Sequence, residues 1–193
     1  TASGGGLVTS LGGGTASSSP TGLLGRALRG LLADTSIYRE AASSASLQRE
    51  AWIVVAAVAA APFVLATAQS LMGLSFGVLM TVAPAIITAL LAWASAAISV
   101  QMVCAFWLHL ELGFGQVARA MAYAATPGAL QVVPVAGPFL AMWSLVTNTA
   151  AITDITGADT VKAILLMLAG IVGGAIAVAF FGPAVRLMFW LVS

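Results

Sequence analysis

Gly73-Leu74-Ser75-Phe76-Gly77 has the spacing G-x-S-x-G, and His109 is the single histidine available to serve Ser75 as a base. A nucleophile elbow needs a strand before the serine and a helix after it, so that the hydroxyl stands clear of the backbone. Here an apolar, helix-like run leads into the motif. His109 lies one apolar segment further on, about 30 Å away if that segment crosses a bilayer. The expected reading is therefore a tight turn between helices, and no catalytic residue is assigned. Nor does the chain hold paired carboxylates, a histidine cluster or the Cys/His spacing of a metal site. The middle of each apolar stretch lacks ionisable residues, which usually mark proton or substrate paths. No metal is expected.

His109 has a second reading. Ala105-Phe106-Trp107-Leu108-His109 places a small residue four before a histidine among aromatics. This resembles the A-x-x-x-H of antenna polypeptides, where the small residue leaves room for a chlorin ring. Imidazole is a ready metal ligand. His109 is thus a candidate chlorin or haem ligand, against the alternatives of an interfacial anchor or a partner for Glu111. Otherwise no cofactor is expected, a bound lipid or pigment being the open alternative.

Small residues carry the other signal. Ala169, Gly173 and Ala177 recur every four residues, as do Gly170 and Gly174, giving one helix two adjoining smooth faces. Ala56 with Ala60 and Ala92 with Ala96 repeat the spacing. Such patterns let helix backbones approach closely where lipid removes the hydrophobic drive. One smooth face serves the chain's own bundle. The second is expected either to dock a partner or to be internal as well.

The elements that position these residues follow from composition. With 61% hydrophobic residues, 7% charged residues and a mean hydropathy of +1.07, the 193-residue chain cannot cover a soluble globule, in which about a quarter of residues are charged. It reads as an all-α integral membrane protein. A net charge of +1 with no basic cluster excludes a nucleic-acid surface. Cys104, the single cysteine, excludes an intrachain disulfide.

No Lys, Arg, Asp or Glu occurs between Glu50 and Glu111, roughly 90 Å of helix against a hydrocarbon core of about 30 Å. Two spans are expected there, at 52–72 and 82–108, with Pro84 near the start of the second. Pro127-Gly128, Pro134 and Gly137-Pro138 interrupt the next window. It is read as a broken third span at 117–133, a hairpin, and a fourth at 139–153. A last span at 163–185 ends near Gly182-Pro183. Five crossings are expected, with four as the alternative. A cytoplasmic N-terminus then puts Arg26, Arg29, Arg39, Arg49, Arg119 and Lys162 inside and Arg186 outside. Residues 1–22 form a Gly/Ser/Thr/Ala-rich flexible head without the layout of a signal peptide. Residues 23–50 form a pre-membrane segment in which Leu24, Leu28 and Leu31 share a face, as in an interfacial helix. Residues 51–182 form the bundle, and 183–193 an apolar tail.

Two stretches together resemble the Yip domain family, polytopic membrane proteins, and its bacterial members most closely. The first carries Tyr38-Arg39-Glu40 and Gln48-Arg49-Glu50-Ala51-Trp52. The second runs from Gly113-Phe114-Gly115 through Arg119, Ala122-Tyr123-Ala124, Pro127, Pro134, Gly137 and Trp143 to Lys162-Ala163. The resemblance implies a five-helix bundle with a cytoplasmic N-terminus and no enzymatic activity. The GTPase interaction of eukaryotic members is not carried over. The expected role is that of an accessory or scaffolding subunit in a larger membrane assembly. Its expected partners are membrane lipids and other transmembrane subunits, in a bacterial inner membrane. The alternatives are a small permease or channel using the broken third span, and a pigment- or haem-contacting subunit.

Overall fold

The computed structural model describes residues 22–69, 76–131 and 136–192. The head, the turn holding Ser75, and Pro134 lie outside the described residues. Those described are all helical, in seven α-helices: α1 Leu23–Leu31, α2 Thr35–Ser43, α3 Gln48–Gln69, α4 Phe76–Val103, α5 Phe114–Ala124, α6 Gly137–Thr156 and α7 Thr160–Val192. A π-helical turn, Cys104–Leu108, extends α4, and a 3-10 turn, Thr126–Leu130, follows α5.

Capping residues set several boundaries. The Asp34 carboxylate accepts from the Ser36 amide at 3.0 Å and starts α2. The Gln116 side chain reaches back to the Gly113 amide at 2.8 Å and starts α5. Gly157 ends α6 at φ +65°, a conformation open to glycine at no steric cost.

Among the described residues two helices, against the five crossings expected, are long and apolar enough to cross a membrane, at Val82–Leu108 and Thr160–Leu191. They pack antiparallel, since Gly170 of α7 meets Val100 of α4 and Gly182 meets Thr88. Three sequence expectations change here. Pro84 is not near a helix start, because α4 begins at Phe76. Nor does α7 stop at Gly182-Pro183 to leave a separate tail, since it continues to Val192 with Pro183 inside it. Both prolines cost one backbone bond, yet in an apolar medium breaking the helix would leave many more groups unpaired. The third segment, finally, is not a simple span. At 11 residues α5 is about 16 Å long, roughly half a hydrocarbon core.

With its 3-10 turn, α5 descends beside α3 and pairs antiparallel with α6. Thr147 donates to Ala124 O at 2.7 Å, and Gln131 Nε2 donates to Ser144 Oγ at 3.1 Å. The core has two parts. One, around Trp93, Val100, Cys104, Val117, Met121 and Leu166, joins α3, α4, α5 and α7. The other, around Ile37, Tyr38, Val54, Tyr123 and Ala151, joins α2 to α3, α5 and α6.

Candidate functional site

Two regions concentrate what this chain can do: a charged collar at one end of the bundle and the faces of α7 below it. The collar fastens α1 and α2. Arg26 grips Glu50 of α3 through Nε and Nη2 at 2.6–3.0 Å, and the Tyr123 hydroxyl donates to the same carboxylate at 3.0 Å. Arg29 bridges Asp34 at 2.9 Å and Glu40 at 3.0 Å. Hydrogen bonds donated to Glu50 hold Arg26 above its ordinary pKa, and the one donated to Asp34 does the same for Arg29. The Ser36 hydroxyl and then Arg29 hold Asp34 below the usual carboxylate range. Tyr38 is fully buried, and burial pushes its phenol up; it donates to Gly30 O at 3.0 Å.

Arg119 is the deepest of these cations, only 7% exposed. It donates to Ala41 O at 2.6 Å, Ala42 O at 2.7 Å and Gln48 Oε1 at 3.0 Å. Ala42 and Ala41 lie in the last turn of α2, so this cation neutralises the negative helix end as well as its unpaired carbonyls. The sequence marked Arg119 as a cytoplasmic charge and as one residue of the Yip-like stretch, not as the cap of a helix end. Its position at the edge of an apolar window was the available signal.

The collar also runs down the side of α6. Trp143 Nε1 donates to Leu31 O at 2.7 Å, and Arg39 meets Asp154 at 2.6 Å. Both halves of α6 are therefore tied to the N-terminal hairpin. Within that hairpin α1 turns inward not its leucines but its glycines. Gly25 and Gly30 are buried, and a Cβ on Gly30 would collide with Tyr123 O. Of the face expected from Leu24, Leu28 and Leu31, the first two are exposed and Leu31 is half-buried.

On α7 the glycines face their own chain. A Cβ on Gly170 would stand 3.0 Å from Val100 Cγ2, one on Gly174 3.2 Å from Ala92 O, and one on Gly173 would overlap Ser99. Ala177 is buried and Ala169 half-buried. Of the two readings left open for the second smooth face, the internal one fits, since Gly170, Gly173 and Gly174 all lie against α4. What α7 shows outward is large and apolar, including Ile171, Val172, Ile176, Phe180 and Phe181.

The hairpin residues that are described are likewise absorbed. Pro127 is fully buried and a Cβ on Gly128 would stand 3.0 Å from Val58 of α3, so protein fills this break. Gly137 lies against Gln131 O and Pro138 occupies the first turn of α6. His109 is exposed and left-handed, at φ +53°, and its amide caps the π turn on Cys104 O. It has left the helix, so Ala105 and His109 do not share the continuous helical face that A-x-x-x-H requires. Among the described residues no three His, Cys, Asp or Glu side chains cluster as a metal site would need.

Among the described residues, two apolar grooves open beside α7. One of about 660 Å³ lies between α6 and α7, with Leu145, Val146, Ile164 and Met167 below and Thr35, Asp154 and Thr160 at its charged end. Another of about 270 Å³ lies among α4, α6 and α7, bounded by Trp93, Asn148 and Gly174. No protein family, characterised protein or solved structure matches this chain.

Proposed function

We propose that the chain is a non-enzymatic, Yip-like multi-pass membrane protein that acts by helix packing, as an accessory or scaffolding subunit of a larger membrane assembly. In this reading α4 and α7 cross the bilayer. With α3, the α5 limb and α6 they make up the five-helix plan, with the N-terminus on the cytoplasmic side of a bacterial inner membrane. The observation that carries the reading is the outward surface of α7. Ile171, Val172, Ile176, Phe180 and Phe181 are exposed along it while its glycines are engaged with α4. An apolar surface of that length needs lipid or another transmembrane helix against it. Charge placement agrees. The collar holds the ionisable side chains at one end, and Arg186 stands alone near the other.

Gentle detergent extraction from the native membrane tests this, with the band resolved on a native gel and identified by mass spectrometry. Co-migration with one large assembly is the expected result. A stable, colourless monomer without partners would end the scaffolding reading. A chlorin or haem absorbance lost on His109→Ala would replace it with the pigment reading.

A further inference from the structure

We infer that the groove between α6 and α7 is a binding site for one phospholipid with a primary ammonium headgroup, a phosphatidylethanolamine. The inference rests on the membrane reading above and adds a ligand to it. Asp154 lies at the charged end of the groove, and its side chain is only 9% exposed. One carboxylate oxygen accepts from Arg39 at 2.6 Å. The other, Oδ2, is buried with no donor among the described residues. A buried carboxylate oxygen without a donor costs free energy that an arriving N–H group recovers.

The surroundings specify that donor. Lys162, the nearest other cation in sequence, is engaged by Asp159 at 3.1 Å and does not serve Asp154. Arg39 is 74% exposed and gives one of its N–H groups to Asp154, leaving others for an anion. A buried acceptor beside an exposed guanidinium is the complement of a zwitterion whose ammonium and phosphate are two carbons apart. Below them Leu145, Val146, Ile164 and Met167 form an apolar trough for an acyl chain. A quaternary ammonium has no N–H to donate, and an anionic glycerol headgroup would bring no cation to Asp154.

The full chain, reconstituted in nanodiscs of equimolar phosphatidylethanolamine, phosphatidylcholine and phosphatidylglycerol, is released and examined by native mass spectrometry. About a tenfold preference for phosphatidylethanolamine in the retained lipid is expected, the scale of one charge-assisted hydrogen bond. Asp154→Asn should remove the preference for phosphatidylethanolamine over phosphatidylcholine while lipid is still retained. Val146→Phe, at a position already exposed, should fill the trough and lower retention of every class. Equal retention of the three lipids by the unaltered chain, or a preference that survives Asp154→Asn, would overturn the inference and leave the membrane reading standing. A chain that enters no bilayer would remove both.

Discussion

The α4–α7 seam and the collar are built from opposite materials. Along the seam Gly170, Gly173 and Gly174 bring two backbones together with no ionisable side chain between them. At the collar Arg26, Arg29, Arg39 and Arg119 join helices through charge-assisted hydrogen bonds. The seam suits a medium that supplies no hydrophobic drive, where contact area and closeness must hold helices together. The collar suits the boundary with water, where a charge can be half-buried if each donor has an acceptor. The difference teaches that one chain uses two kinds of adhesion, each suited to the surroundings proposed for it, and they should fail under different insults.

The largest expected effect is at the seam. Gly173→Val places bulk on Ser99 and against Ser95 O, and should destabilise by about 3 kcal/mol, the upper end for overpacking. Ser99→Gly should recover part of that loss in a thermal-melt double-mutant cycle; strict additivity would mean the two residues do not meet. At the collar, Arg119→Ala leaves Ala41 O and Ala42 O without a donor and should cost about 1–3 kcal/mol. Limited proteolysis should then cut between α2 and α3 while α4 and α7 stay protected. Uniform digestion would show that collar and seam are one cooperative unit. Trp143→Phe removes the donor to Leu31 O and should cost about 1 kcal/mol, read as faster cleavage near α1.

The smallest effects are pH-dependent and should touch the collar alone. The native state holds Asp34 below the usual carboxylate range, so its contribution is present above about pH 4 and is lost as pH falls through the native value. Melting midpoints of the unaltered chain and Asp34→Asn should therefore converge in acid and separate toward neutrality. At the alkaline end, burial holds Tyr38 neutral. Its contribution is present below about pH 10 and is lost as pH rises beyond that. In Tyr123→Phe, which leaves Tyr38 as the single tyrosine, phenolate absorbance should stay absent through about pH 10. Ionisation at the ordinary value would mean that α2 is not packed as described.

Much of the framework was legible in the chain. The span expected at 82–108 coincides with an apolar helix of the structure, and the interruption after Ala124 falls where Pro127-Gly128 foretold it. Trp93 on that helix is buried, with Trp52 edge-on at 4.6 Å. The site was less legible. Small-residue spacing identified α7 as a close-packing helix but could not say which neighbour it meets, because the spacing is the same for a domestic and a foreign helix. Nothing local distinguishes Asp154, which lies 115 residues from the arginine that holds it.

Composition and charge spacing by themselves determined the helical class, the end at which ionisable groups gather and, of the five crossings expected, the two long apolar helices. Each follows from the free energy of a residue in lipid or water, which depends on the residue and its near neighbours. Only the tertiary structure decided that α7's glycines serve α4, that α5 stops short beside α3, that His109 leaves its helix, and that one oxygen of Asp154 is buried without a donor. These are matters of which distant surfaces meet, and a helical repeat is blind to its partner until the chain has folded against it.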